Sequence, residues 1–69
     1  MRSVSGKQLC SALEKRGWLL KRVRGSHHVY VKPGRKERLS IPVHGNTPLK
    51  TGLLCALLKV AGLTADDLD

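Results

Sequence analysis

The sequence has no phenylalanine, one tryptophan and one tyrosine, so its core must rest on aliphatic side chains. It has two cysteines, Cys10 and Cys55, and neither has a second cysteine or a histidine at ligand spacing. That excludes a disulfide framework and a cysteine-based metal site. Both fall in helix-like segments beside Leu or Ala, and both read as small buried thiols. Acidic residues are scarce, 5 against 13 Lys and Arg, and Asp66, Asp67 and Asp69 crowd the last residues. Only Glu14 and Glu37 remain in the body of the chain, too few to favour a two-metal centre, so neither metal nor cofactor is expected. No apolar run approaches the roughly 20 residues that a membrane span requires. The opening MRSVSGKQ also lacks the apolar stretch of a signal peptide, so a cytoplasmic protein is expected.

The length leaves room for one domain, residues 1–69. A chain this short buries only about 60% of its unfolded surface, so a deep substrate cavity is not expected and any chemistry belongs at the surface. The net charge of +8 is distributed unevenly. Eleven of the 13 cations fall in residues 1–38 with only Glu14 and Glu37 against them, while residues 39–69 are slightly acidic. A basic first half suits a polyanion, and a neutral second half suits core or a protein partner.

Ser5 with Gln8 three residues on has the form of a capping box, and Gly17 is placed to end a helix over Gly6–Arg16. Trp18–Arg24 and His27–Lys32 read as strands around a Gly25-Ser26 turn. Pro33-Gly34 breaks the chain again, and Leu39, Ile41 and Val43 alternate with polar residues and Pro42 in a third strand. A Leu-rich second helix follows, capped by Thr47 ahead of Pro48 or by Thr51, with Leu53, Ala56, Leu57, Val60 and Ala61 as its stripe and Leu54 and Leu58 beside it. Part of that wide apolar arc, Leu54 and Leu58 included, is expected to form an interface. Gly62 ends the helix, and Thr64 with Asp67 caps a short terminal turn.

The order is thus α-β-β-β-α. The expected fold is α+β, a three-stranded antiparallel sheet with two helices on one face and the other face open to solvent. Alternation along the second strand puts Val29 and Val31 on the core face with His27. It puts His28, Tyr30 and Lys32 on the solvent face. Trp18 reads as core, and His44 as a loop-capping residue.

Lys7-Gln-Leu, Leu13-Glu-Lys-Arg-Gly-Trp18, Arg22-Val-Arg-Gly-Ser-His-His-Val-Tyr30, Ile41-Pro-Val-His44, Leu49-Lys-Thr-Gly52-Leu-Leu and Ala61-Gly-Leu63 follow one another in order. Together they resemble the HicA family, small toxins of type II toxin–antitoxin systems, over nearly the whole chain. The chain departs from that family at Gly52-Leu53-Leu54, where Gly-Thr-Leu is frequent; this bears on the start of the second helix and not on the Gly-Ser-His-His turn. The resemblance implies a double-stranded-RNA-binding-like fold and an mRNA interferase that cleaves mRNA and stops translation. It also implies a HicB-like antitoxin covering the site. A homodimer or a toxin–antitoxin hetero-oligomer is the assembly to look for. The family's histidine is the first after Gly-Ser, which is His27.

RNA supplies its own nucleophile, the 2′-OH, so a side chain that titrates near neutrality can drive cleavage without metal. His27 is the catalytic candidate. His28, which strand alternation alone favours, is the second. Arg22, Arg24 and Lys32 would hold phosphates, Tyr30 would stack on a base or bond a phosphate, and Ser26 and His28 complete the RNA-contacting set. The alternative reading is a non-catalytic RNA-binding module of the same fold, since charge and sheet would serve both.

Overall fold

In the computed structural model, residues 3–68 are described. They form α1 (Gly6–Lys15), β1 (Leu19–Arg24), β2 (His27–Val31), β3 (Arg38–Pro42) and α2 (Thr51–Ala61), then a 3₁₀ turn over Ala65–Leu68. The sheet order is β1-β2-β3, antiparallel throughout, so β2 is the central strand.

The local signals account for most of these boundaries. Ser5 Oγ accepts from the Gln8 N–H at 3.2 Å and Gln8 Oε1 accepts from the Ser5 N–H at 2.9 Å, a complete capping box that starts α1. At its other end Gly17 takes φ +92°, a conformation that costs glycine little. The Trp18 N–H then reaches the Leu13 carbonyl at 3.0 Å and the Gly17 N–H reaches Glu14 at 3.2 Å, a Schellman closure. The closure turns the chain so that Trp18 is buried beneath the helix it has just left. Gly62 closes α2 in the same way, with Leu63 bonded back to Leu58 at 2.9 Å.

The start of α2 differs from both expected caps. Lys50 holds the N-cap position without a side-chain bond, and Thr51 is already helical. Pro48 instead bridges to Ser5, and the Leu49 N–H donates to the Val4 carbonyl at 2.7 Å. The chain after β3 is thus tied to the segment before α1, which delays the helix by several residues.

Both helices lie on one face of the sheet. Leu9, Cys10 and Leu13 of α1 and Leu54, Leu57, Leu58 and Ala61 of α2 pack over Tyr30, Leu39 and Ile41, with Val4 and Trp18 closing the edges. Leu54 is 2% exposed and Leu58 4%, so these two residues belong to the core and the expected interface through them does not exist. The core-facing stripe of α2 is rotated from the expected one. Leu53 and Val60 face solvent, because a helix over so small a sheet can bury only one narrow arc. Cys10 is buried as expected, but Cys55 is exposed on the far side of α2.

Two arginines tie down the periphery. Arg16 pairs with Asp67, which itself accepts the Thr64 N–H at 2.8 Å, tying the terminal turn to α1. The Arg35 guanidinium lies over the Trp18 ring, 5.7 Å from its centroid, and donates to the Val60 carbonyl at 2.8 Å.

Candidate functional site

Strand phase decides which histidine faces where. Tyr30 is only 1% exposed, and its hydroxyl donates to Glu14 Oε2 of α1 at 2.6 Å. Successive strand side chains alternate faces, so Tyr30 carries His28 to the helix side and sends His27, Val29 and Val31 to the open side. This inverts the expected phase. The valines suggested a core face by hydrophobicity alone. The tyrosine ring buries more surface, and its hydroxyl is satisfied at the rim, so the core takes the ring.

Tyr30 is therefore a core residue and is not available to stack on a base. His28 and Lys32 are likewise corrected to the helix side. Half-buried His28 lines a shallow groove of about 280 Å³ with Lys7, Ser11, Glu14, Leu20 and Val43. Lys32 is half-buried, with its stem beside Gly17. Burial first, and then the bond to Glu14, hold the Tyr30 hydroxyl far above its ordinary pKa, so it stays protonated. Burial likewise raises the Cys10 thiol.

The open face is a small grid set by register. Arg24, His27 and Pro42 form one row across the strands; Arg22, Val29 and Ser40 form the next; Leu19, Val31 and Arg38 form the third. A bulge at Lys21 separates Leu20 from Arg22 and keeps Arg22 and Arg24 both on this face. The turn that feeds the first row is Gly25-Ser26. Gly25 has φ +58° and Ser26 does not, the pattern of a II′ hairpin turn. Ser26 is half-buried, and its carbonyl accepts the Val43 N–H at 2.7 Å, so it positions the turn through its backbone.

His27 is exposed, and its Nδ1 lies 3.3 Å from Ser40 Oγ. Exposed Arg24 is its cross-strand partner and exposed Arg22 lies on the diagonal, while exposed Arg38 shares the face two rows away. Glu14 and Glu37 do not join this grid; the first holds Tyr30 on the helix side, and the second bonds Arg35 at 3.1 Å. The face thus offers an imidazole flanked by guanidinium groups, next to a hydroxyl. Among the described residues no group of three or more His, Cys, Asp or Glu is placed to share a metal ion. His44 lies in the exposed loop after β3, where its carbonyl accepts the Thr47 N–H at 3.0 Å.

Arg38 and Ser40 were missed as site residues. Their signal was present in the alternation of β3, where buried Leu39 and Ile41 leave Arg38 and Ser40 on the open face. Only the wrong phase for β2 kept them apart from His27.

A three-stranded meander with both helices on one side, in the order α-β-β-β-α, is an α+β arrangement. Residues 6–63, which span all five main elements, match the model of a family described as the HicA toxin of bacterial toxin–antitoxin systems, and the chain belongs to that family. A toxin of such a system has an antitoxin for its partner. No curated protein sequence matches the chain. No helix among the described residues is long and apolar enough to cross a membrane.

Proposed function

We propose that this protein is a cytoplasmic endoribonuclease that cleaves mRNA and thereby halts translation, and that the helix-free face of the sheet is its active surface. The observation that carries this reading is His27 on the open face, flanked by Arg22 and Arg24 and within reach of Ser40. Histidine transfers protons near neutral pH, and RNA brings the nucleophile. The arginines neutralise the approaching phosphates and stabilise the extra charge that builds up as the 2′-oxygen attacks phosphorus. Proton transfer by histidine requires no metal. A flat, basic, exposed face also suits single-stranded RNA better than a small ligand, which needs a concave pocket. An antitoxin that silences this activity would cover the same face.

The test compares wild type with His27→Ala and His28→Ala in RNA cleavage, RNA binding and growth arrest, with circular dichroism confirming the fold. The expected result is loss of cleavage and arrest in His27→Ala with RNA binding retained, and activity kept in His28→Ala. Wild-type cleavage by a folded His27→Ala protein overturns the assignment. A wild-type protein that binds RNA and never cuts it would be the non-catalytic module instead.

A further inference from the structure

Four side chains border the His27 ring on neighbouring strands. Arg24 and Pro42 stand directly across from it, and Arg22 and Ser40 lie on the diagonals. Guanidinium groups donate hydrogen bonds and cannot accept them, and the proline ring carries no polar side-chain atom. The hydroxyl of Ser40, 3.3 Å from Nδ1, is therefore the one acceptor among these neighbours. We propose that Ser40 is a positioning residue for His27: it accepts a hydrogen bond from Nδ1–H and leaves Nε2 as the nitrogen that exchanges a proton with RNA. The inference rests on the reading of His27 given above.

The chemistry favours that direction. A doubly protonated imidazolium can only donate, so Ser40 must accept while the ring is charged. Loss of the proton from Nε2 keeps the Nδ1–H bond intact, whereas loss from Nδ1 breaks it. The serine thus selects the neutral tautomer with a free lone pair on Nε2. As a base, Nε2 takes the 2′-OH proton while the 2′-oxygen bonds to phosphorus and the 5′-oxygen leaves with a proton from solvent water. As an acid, Nε2–H gives its proton to that departing 5′-oxygen. In either role the bond to Ser40 persists from start to finish and costs no reorganisation.

Ser40 is exposed on an open sheet face, so Ser40→Ala should fold. Nitrogen-15 NMR of the histidine rings reads the tautomer, and cleavage of a short RNA reads kcat and KM. In Ser40→Ala the Nδ1–H form of His27 should give way to the Nε2–H form. The kcat should fall about five- to tenfold, the scale of one neutral hydrogen bond, with KM unchanged. Ser40→Thr, which keeps the hydroxyl, should restore both. A wild-type tautomer ratio in Ser40→Ala overturns the proposal, and so does a shifted tautomer with unchanged kcat or an effect confined to KM. Cleavage that survives in His27→Ala would instead defeat the reading of the site, while the tautomer measurement still judges the Ser40 contact on its own.

Discussion

The Tyr30 hydroxyl donates to Glu14 at 2.6 Å, and this one bond joins the central strand to the first helix. It also satisfies the polar end of the largest side chain that the sheet contributes to the core. Because alternation is strict, fixing Tyr30 inward fixes His27 outward. The orientation of the candidate active residue is therefore set three positions away, in the core.

Tyr30→Phe keeps the ring and removes the bond to a carboxylate. Glu14 lies at the exposed rim and can rehydrate, so the expected loss is about 1.5 kcal/mol, the low end for a bond to a charged group. Urea denaturation measures it. His27 should stay on its face, so RNA cleavage at temperatures where the variant is folded should remain near wild type.

Gly6 is buried where α1 meets the end of β3, and a Cβ there would collide with the backbone carbonyl of Pro42. Backbone cannot swing aside as a side chain can. Gly6→Ala should cost about 3 kcal/mol, the upper range for overpacking. In a domain this small that lowers the melting temperature by more than 10 °C, at about 4–8 °C per kcal/mol. Thermal melts of Gly6→Ala and, as a control, of Gly52→Ala, where an added Cβ meets open space, make the comparison.

Arg22, Arg24 and Arg38 share the open face, whereas Lys59 sits near the end of α2. Each of Arg22→Ala, Arg24→Ala and Arg38→Ala should flatten the dependence of log affinity on log salt by about 0.7, one phosphate contact on a single strand. Lys59→Ala should leave the slope unchanged. Fluorescence anisotropy with a labelled RNA between low and moderate salt gives the slopes. Equal slopes for all five proteins would move RNA off this face.

Asp67 is held below its ordinary pKa, first by the Thr64 backbone N–H and then by Arg16. A carboxylate depressed in the folded state contributes its full stability above its unfolded pKa and loses it as pH falls through the folded value. Wild type should therefore destabilise below about pH 4, where aspartate begins to protonate. Asp67→Asn should show a smaller acid-dependent loss over that range. Melting temperatures between pH 3 and 7 test the difference.

The fold was legible because its punctuation is local. Ser5 and Gln8, Gly17, Gly25-Ser26, Pro33-Gly34 and Gly62 each act within a few residues, and the structure places a boundary at every one. What was not legible depended on contacts distant in sequence. Burial of the Tyr30 ring sets the phase of β2, and the Glu14 that satisfies its hydroxyl lies 16 residues away on α1, where the strand's own pattern does not reveal it. The rotation of α2 that buries Leu54 and Leu58 depends on where the sheet lies beneath it. The start of that helix moved for the same reason, since Pro48 and Leu49 pair with the chain before α1. For the candidate site, Arg22, Arg24 and His27 come together on one face, whereas Tyr30, His28 and Lys32 do not join them.

His27 and His28 are neighbours in sequence, yet one looks out from the bare side of the sheet and the other into the groove beneath α1. Their ring signals are in effect two probes set back to back on one strand. A molecule that settles on the open face perturbs the first and spares the second, and one that enters the groove does the reverse. A single titration can therefore say which side of the sheet a newcomer has chosen, with no label added to the protein.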